Sequence, residues 1–184
     1  MRVIAGRFKG RNLKGPSWAG IRPTSDKLRE TLFNIVAPRI DGARVLDAFA
    51  GTGAIGIEAL SRGASHVTFI EADRRALSLI ETNLVLCGVR DGYTIQRGDA
   101  LDVLQRLPPG DVFSLVLLDP PYEETHVARV LEAAASRIAA GGLLVLERAT
   151  RTAPDVPASL TVVREVRSGD STLTFFRSAD ASGR

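Results

Sequence analysis

The spacing of apolar positions divides the chain into two parts that meet near residue 42. Beyond that point, short apolar runs alternate with segments in which apolar residues recur every three to four positions, the two periods of strands and helices. The runs predict strands over residues 44–48, 67–71, 93–97, 112–118 and 143–147, and the periodic segments predict helices over 54–62, 74–87, 100–106 and 125–139. We expect Gly63, Gly88 and Gly141 to end three of these helices from the position just after the last helical residue.

Regular alternation of strands and helices indicates right-handed crossovers and a parallel sheet buried on both faces. The end of the chain departs from this order, because two strand-like segments, 160–166 and 172–177, are joined by a short turn around Gly169. They predict a terminal antiparallel hairpin. The expected fold is therefore α/β, with a mostly parallel seven-stranded sheet whose ligand binds at the carboxyl ends of the strands.

The first 42 residues predict a different arrangement. Residues 2–5 and 11–14 flank a turn bounded by glycines and predict a small hairpin. A helix follows, because N-cap residue types at 24–26 precede an apolar stripe that starts at Leu28, and Pro38 ends the pattern. We expect this stripe to pack on the following domain. The predicted organisation is a basic hairpin and helix over 1–42, a domain over 43–178 and a disordered tail over 179–184.

Composition narrows the class of protein. With 184 residues, 45% of them apolar, the chain is long enough to bury a core without disulfides or a structural metal. The single cysteine, Cys87, excludes an internal disulfide, and His66 and His126 lie too far apart in sequence to indicate a zinc site. No apolar run approaches the ~20 residues of a membrane-spanning helix. We expect a cytoplasmic protein that binds no metal and no membrane.

Charge is unevenly distributed along the chain. Residues 1–44 contain ten lysines and arginines against three acidic residues, whereas residues 45–184 contain 14 basic and 18 acidic residues. A basic segment attached to a mildly acidic domain is typical of a protein that binds a polyanion, although a solvated charged face would look the same. The candidate phosphate-binding residues are Arg7, Lys9, Arg11, Lys14 and Arg22.

The first predicted strand ends in a glycine-rich turn, D-A-F-A-G-T-G-A-I-G over residues 47–56. Gly51 and Gly53 begin a G-x-G-x-x-G pattern, and Glu71 ends the next strand at the spacing expected of a carboxylate that binds ribose hydroxyls. This much also fits a nicotinamide dinucleotide. Asp47, however, is expected to point into the cleft, where it suits a ligand with an ammonium or sulfonium charge and repels a pyrophosphate.

The third predicted strand is followed by Asp99 and Ala100. The Asp99 carboxylate could accept a hydrogen bond from the amino group of an adenine. It could equally be the N-cap of the helix that follows, and an N-cap at the end of a strand would serve both purposes.

The fourth predicted strand ends in D-P-P-Y over residues 119–122, the most specific motif in the chain. Pro120 and Pro121 hold φ fixed and carry no backbone donor, so the carbonyl groups of this turn are free to accept hydrogen bonds. An apolar strand that ends in the Asp119 carboxylate, a rigid turn and the Tyr122 ring suits a planar group that carries an NH2. Tyr122 would stack on the plane while Asp119 and the Pro120 carbonyl accept the amino hydrogens.

These motifs together resemble the class I S-adenosylmethionine-dependent methyltransferases. Residues 47–53 resemble the motif that holds the methionine moiety, Glu71 the ribose acid, Asp99 and Ala100 the adenine contact, and residues 119–122 the D-P-P-Y of amino-group methyltransferases. Several N-terminal blocks are similar to the RsmD-like guanine-N2-methyltransferases of bacterial small-subunit ribosomal RNA: R-V-I-A-G over 2–6, K-G-R over 9–11, R-P-T-S-D over 22–26, R-E over 29–30 and L-F-N over 32–34. The resemblance extends over residues 1–177.

The resemblance implies a Rossmann-like methyltransferase that modifies the exocyclic N2 amine of a guanine in 16S ribosomal RNA. It implies S-adenosylmethionine as the cofactor and S-adenosylhomocysteine as the product, with the RNA bound in an assembling small subunit by a monomeric enzyme. Arg22 and Thr24 would contact either the RNA or the cofactor. The alternatives are an adenine-N6 methyltransferase, since D-P-P-Y does not choose between the bases, a non-catalytic RNA-binding assembly factor and a nicotinamide-dependent oxidoreductase.

Overall fold

A computed structural model describes residues 1–18, 26–121 and 125–179, and within them the strands form one mixed sheet with helices on both faces. The helices and strands follow the order β1, α2, β2, α3, β3, α4, β4, α5, β5, β6 and β7 after a first helix, α1, and a single 3-10 turn. Their bounds are α1 Asp26–Val36, the 3-10 turn Ala37–Arg39, β1 Arg44–Asp47, α2 Ala54–Ser61, β2 His66–Glu71, α3 Arg74–Cys87, β3 Tyr93–Arg97, α4 Ala100–Arg106, β4 Phe113–Leu118, α5 Val127–Ala135, β5 Ile138–Ala149, β6 Leu160–Ser168 and β7 Ser171–Ser178.

The sheet has seven strands in the order β3-β2-β1-β4-β5-β7-β6. β1 to β5 are mutually parallel, and β7 pairs antiparallel with both β5 and β6. The predicted fold class is therefore confirmed. Because the strand order reverses between β1 and β4, a crevice opens at the carboxyl ends of these two strands, which is where ligands bind in sheets of this kind.

The alternation of side chains along the central strands divides the core into two layers. One row, which includes Leu117 and Val145, faces α1, α2 and α3, and the intervening row, which includes Leu118 and Leu146, faces α4 and α5. All four side chains are buried, as the continuous apolar runs of parallel strands require. The same alternation fixes which residues project from each face at the ends of the strands.

The fifth helix and fifth strand differ from their predicted bounds. The helix ends at Ala135 rather than at 139, and β5 begins at Ile138 rather than at 143, so Gly141, with φ of 72°, lies inside the strand and ends no helix. The buried Arg137 side chain explains this difference, since it donates to the carbonyl oxygens of Leu104 (3.1 Å) and Pro108 (2.8 Å) and holds the chain against α4. Gly88 and Gly63 follow α3 and α2 as expected.

The N-terminal residues form the expected hairpin only in outline. Backbone hydrogen bonds run from Val3 N to Arg11 O (3.0 Å) and from Leu13 N to Met1 O (3.0 Å), around a single antiparallel bridge between Arg2 and Asn12. Val3, Phe8 and Leu13 are buried in the same core as the helices of the domain. The hairpin is therefore docked on the domain.

Helix α1 presents the predicted apolar stripe to the domain. Leu28, Leu32 and Val36 are buried in the core, and a 3-10 turn that contains Pro38 follows the helix. Arg29 is wholly buried, and its Nη2 donates to the Arg2 carbonyl oxygen (2.6 Å) and to Asp26 Oδ1 (2.9 Å). Arg29 thus joins α1 to the hairpin. Among the described residues, the helices are all too short or too polar to span a membrane.

Candidate active site

A tight glycine turn connects β1 to α2 at the crevice. Gly53 has φ of 76°, a left-handed conformation that favours glycine, and it is the N-cap of α2. Three residues later, a side chain on Gly56 would collide with the Phe69 ring of β2, so this glycine allows the helix to pack closely on the sheet. The G-x-G-x-x-G pattern therefore has the geometry of a nucleotide-binding turn.

Glu71 ties the end of β2 to this turn. Its Oε2 accepts the Gly51 N–H (2.8 Å) and its Oε1 accepts the Asp73 N–H (2.8 Å). The side chain is partly exposed at the edge of the crevice. A carboxylate has about four acceptor positions, so Glu71 can hold the turn and still accept hydrogen bonds from a vicinal diol.

Asp47 does not project openly into the crevice as the sequence led us to expect. Its side chain is 1% exposed, and Oδ2 accepts the Gly56 N–H (3.0 Å) beneath the turn. Burial raises the pKa of Asp47 to about 7, and the nearby charges of Asp119 and Glu71 act in the same direction. Asp47 therefore links the glycine turn to α2 from beneath the turn. Because its carboxylate is buried, its charge acts on a bound cation only across the turn.

Asp99 is the N-cap of α4, one of the two roles considered for it. Its Oδ1 accepts the N–H groups of Leu101 (2.9 Å) and Asp102 (3.3 Å), while the side chain stays exposed at the crevice and Ala100 behind it is buried. The N-cap geometry aims the carboxylate away from the helix at the carboxyl end of β3. This position is compatible with a hydrogen bond from a ligand to the Asp99 carboxylate.

The D-P-P segment follows β4 directly. Asp119 is half-buried, Pro120 is buried and Pro121 is exposed, and their peptide bonds are trans. Because β4 and β1 are neighbours in the sheet, Asp119 lies at the crevice close to Asp47. Tyr122 lies outside the described residues, as do Arg22 and Thr24.

Comparison with known proteins places this site in a family. The family model described as Conserved hypothetical protein 95 matches residues 1–177. The chain is 34% identical over 172 residues to the Ribosomal RNA small subunit methyltransferase D of Escherichia coli K12, which covers 92% of this chain and 85% of that one. The chain belongs to this methyltransferase family. The resemblance found in the sequence is thereby confirmed at the level of the family.

Solved structures agree with this assignment. The structure of yhhF from Escherichia coli superposes with a TM-score of 0.85 at 33% identity and covers 97% of each chain. A hypothetical protein of Thermus thermophilus superposes with a TM-score of 0.81 at 28% identity and covers 96% of this chain and 99% of that one. Both matches extend over nearly the whole length, so the similarity includes the N-terminal hairpin as well as the sheet.

The basic residues of this family member lie on the outer surface of its hairpin. Arg7, Lys9, Arg11 and Lys14 are all exposed. The Arg7 guanidinium lies 4.5 Å from the centre of the Phe8 ring, and Arg11 donates to the Leu86 carbonyl oxygen (3.4 Å) at the end of α3. The hairpin thus presents its positive charges to solvent from a fixed backbone.

Three polar residues that the sequence reasoning missed hold this backbone. Glu58 of α2 is wholly buried and accepts the N–H groups of Ile4 (2.8 Å) and Ala5 (3.0 Å). Ser61, one turn later, accepts the Arg7 N–H at its carbonyl (2.7 Å), and Asn83 of α3 accepts the Lys14 N–H (2.8 Å). A Glu and a Ser at i and i+3 of an otherwise apolar helix were the signal in the sequence, since polar residues there need partners.

Two further side chains pack on or within α3. The Trp18 indole lies 4.8 Å from the Arg75 guanidinium of α3, and Asp73 holds Arg75 through Oδ2 (2.9 Å). Cys87, the last residue of α3, is buried in the core. Among the described residues, no cluster of three or more His, Cys, Asp and Glu residues is arranged to hold a metal ion.

Proposed function

We propose that the protein transfers a methyl group from S-adenosylmethionine to the exocyclic N2 amine of a guanine in 16S ribosomal RNA. The observation that carries this proposal is the position of Asp119 and the two prolines, at the carboxyl end of β4 and beside the glycine turn that Glu71 anchors. The names of the curated relatives support ribosomal RNA as the substrate. The N-terminal sequence blocks support guanine.

The acceptor side chains at the crevice fit the donor and cationic groups of this cofactor, which are its ribose hydroxyls, adenine amino group and ammonium. Glu71 has acceptor capacity for the ribose hydroxyls, and Asp99 lies at the next strand end for the adenine amino group. The carbonyl groups of the turn that contains Gly51 and Gly53 suit the ammonium of the methionine part. Thr24 would complete this site from the segment before α1.

Asp119 and the Pro120 carbonyl orient the target amine. The lone pair of the guanine N2 is delocalised into the ring, so the amine is a weak nucleophile until its two hydrogens are bound and the nitrogen moves toward tetrahedral geometry. When bound, S-adenosylmethionine supplies an electrophilic methyl carbon. Asp119 stabilises the positive charge that grows on the nitrogen and accepts its proton, or passes it to water. Pro120 and Pro121 hold φ of this segment fixed. We propose that Tyr122, which lies outside the described residues, stacks on the base.

The hairpin binds the phosphate backbone of the RNA. Arg7, Lys9, Arg11 and Lys14 are exposed and would contact phosphates. We propose the same role for Arg22, which lies outside the described residues. The rigid attachment of the hairpin to α2 and α3 keeps this contact at a constant distance from Asp119. We propose that a monomer acts in the cytoplasm, on RNA of the assembling small subunit, by a mechanism that requires no metal.

The test is transfer of labelled methyl groups to unmodified small-subunit RNA, supplied both free and as assembled subunits, followed by nucleoside analysis. We expect the label in N2-methylguanosine, with subunits as the better substrate. Label in N6-methyladenosine would show the adenine-specific alternative to be correct. Absence of label from either substrate, despite tight binding of S-adenosylhomocysteine, would refute the choice of RNA.

The variant Asp119→Ala separates an enzyme from a non-catalytic assembly factor. Loss of the carboxylate should reduce methyl transfer by about 100-fold or more, while S-adenosylhomocysteine and RNA still bind. An assembly factor would keep its activity in subunit maturation. A thermal-shift assay with S-adenosylhomocysteine and NAD addresses the oxidoreductase alternative, since we expect stabilisation by the first compound only.

A further inference from the structure

A second carboxylate lies beside Asp119 and has no part in the chemistry described above. Glu147 is near the carboxyl end of β5, the strand next to β4. Leu117 of β4 is directly opposite Val145 of β5, so the positions two residues later, Asp119 and Glu147, are also neighbours. Adjacent strands are about 4.8 Å apart, which brings the two carboxylates side by side.

The two acids face the same side of the sheet. Side chains two residues apart on a strand share a face, and the rows that lead to Asp119 and Glu147 both belong to the core layer beneath α1. Both acids line one narrow recess, whose walls include Leu28 and Leu32 of α1. The recess therefore reaches the place where Asp119 would hold an amine.

Glu147 lies in largely apolar surroundings. Its side chain is only 9% exposed, and apart from Asp119 the recess around it is lined with apolar side chains. Burying a carboxylate in such surroundings is unfavourable unless hydrogen bonds compensate for the lost water. The Ser171 hydroxyl of β7 donates to Glu147 Oε1 (3.1 Å) and so fixes the orientation of the carboxylate.

We propose that Glu147 selects guanine by accepting the N1–H of the target base while Asp119 holds the neighbouring N2 amine. This inference rests on the proposed function and deepens it. Guanine carries two adjacent donors on its Watson–Crick edge, N1–H and N2–H2, which match two adjacent carboxylates. Adenine has an unprotonated N1 at the corresponding position, and its lone pair is repelled by a carboxylate. A base outside its helix is read on this edge.

The proposal accounts for the choice between the two bases that D-P-P-Y alone leaves open. An amine next to a ring nitrogen is common to guanine and adenine, so Asp119 can bind either one. Glu147 adds a requirement for a proton on that ring nitrogen. Glu147 is therefore a specificity-determining residue, and its loss should alter which base reacts more than it alters the cofactor site.

The test compares Glu147→Gln with the wild-type protein on two synthetic stem–loops, one with guanine and one with 2-aminopurine at the methylated position. 2-Aminopurine retains the N2 amine but has no proton on N1. We expect the wild-type protein to prefer guanine by about 10- to 100-fold in kcat/KM. Glu147→Gln should narrow or reverse this preference, because the glutamine NH2 donates to an unprotonated N1 and opposes the guanine N1–H. Affinity for S-adenosylhomocysteine should stay unchanged.

Glu165→Gln is the matched control. Glu165 lies on β6 of the same sheet and likewise accepts from a hydroxyl, that of Thr174 (3.0 Å), but it is exposed and far along the sheet from Asp119. It should leave the preference for guanine intact. If Glu147→Gln behaves as Glu165→Gln does, the inference is wrong while the proposed function stands.

The wild-type protein provides a second measurement that does not depend on the folding of a variant. Equal turnover of the guanine and 2-aminopurine stem–loops would overturn the inference, because recognition of N1–H would then contribute nothing. Absence of methylation on the guanine stem–loop, with labelled subunits also unmodified, would instead count against the proposed function itself.

Discussion

Gly6 has the most restricted position in the hairpin. Its φ is +79°, and a Cβ there would collide with the carbonyl oxygen of Ser61 on α2. Gly10, at the other end of the turn, has a similar φ of +83° but open space around it. Substitutions at Gly6 and Gly10 therefore separate two ways in which replacing a glycine lowers the free energy of unfolding: the strain of a left-handed backbone and the loss of a close approach.

We expect Gly6→Ala to destabilise the protein by about 3 kcal/mol or more, since overpacking adds to the backbone strain. Gly10→Ala should cost only about 1 kcal/mol, the strain alone. Urea denaturation measures both values. Similar losses for the two variants would mean that the hairpin does not pack on Ser61 as described.

Asp47 should make stability depend on pH. Its pKa in the folded protein is raised to about 7 from 3.8, mainly by burial, so between these values the folded state binds more protons than the unfolded state. The contribution of Asp47 to the free energy of unfolding is therefore greatest at low pH, and it is lost as the pH rises to about 7. The ordinary acidic residue, whose pKa is lowered by folding, has the opposite effect.

The variant Asp47→Asn removes this titration and keeps an oxygen that can accept the Gly56 N–H. We expect the stability of the wild-type protein to fall relative to Asp47→Asn between about pH 4 and pH 7. Urea denaturation at several pH values gives the comparison. Parallel curves over this range would show that Asp47 has an ordinary pKa.

Among the secondary-structure elements, α2 contributes several of the hydrogen bonds that hold the hairpin on the domain. The Glu58 carboxylate of α2 accepts two backbone N–H groups of the hairpin and the Arg62 Nε (2.7 Å), and the Glu58 side chain has no exposure to solvent. Replacing one carboxylate oxygen by an NH2 group would oppose a donor with a donor. A buried donor left without an acceptor costs more than the original hydrogen bond contributes.

Glu58→Gln should therefore cost about 3 kcal/mol and loosen the hairpin. Limited proteolysis should cleave the N-terminal residues faster, and RNA affinity should fall while S-adenosylhomocysteine still binds. Glu132→Gln is the control, because Glu132 on α5 is exposed and accepts only from the Ser159 hydroxyl among the described residues. Unchanged proteolysis in Glu58→Gln would show that the Glu58 carboxylate is not needed to hold the hairpin.

At the scale of the whole molecule, charge is separated between the hairpin and the domain. The cations of the hairpin are exposed to solvent, whereas the crevice carries carboxylates. This separation suits a substrate whose phosphates meet the hairpin and whose base, a hydrogen-bond donor, enters the crevice. It also predicts that binding to RNA depends strongly on salt.

The triple variant of Arg7, Lys9 and Arg11 to alanine should weaken RNA binding. It should also lower the slope of log affinity against log salt by about 2 to 3, because fewer counterions are released on binding when fewer phosphates are contacted. Replacing Arg129, Arg151 and Arg164, which are exposed elsewhere, changes the net charge equally. Filter binding at several salt concentrations distinguishes the two. Equal slopes in the two triple variants would assign the binding surface to another part of the molecule.

The sheet is predictable from the amino-acid sequence alone, because the signals for its strands and helices are local. Apolar runs of strand length, helical periods and glycines after helices depend only on neighbouring residues, and each strand end is marked by the first acidic residue after an apolar run. Asp47, Glu71, Asp99 and Asp119 could therefore be assigned to one edge of a parallel sheet before any coordinates. The error at α5 has the same origin, since the buried Arg137 that shortens this helix bonds to residues about 30 positions away.

The way these residues face one another depends on the folded structure. Asp47 and Asp119 are each the first acidic residue after an apolar run, so the sequence does not distinguish them. In the structure the glycine turn covers Asp47, whereas Asp119 is only half-buried. Glu147 is 28 positions from Asp119, and the register of β4 on β5 alone makes them neighbours. Glu58 is a polar residue in an apolar helix until the hairpin folds over it. Such contacts join segments that are distant in the sequence, and the local pattern of apolar and polar residues does not show which segments meet.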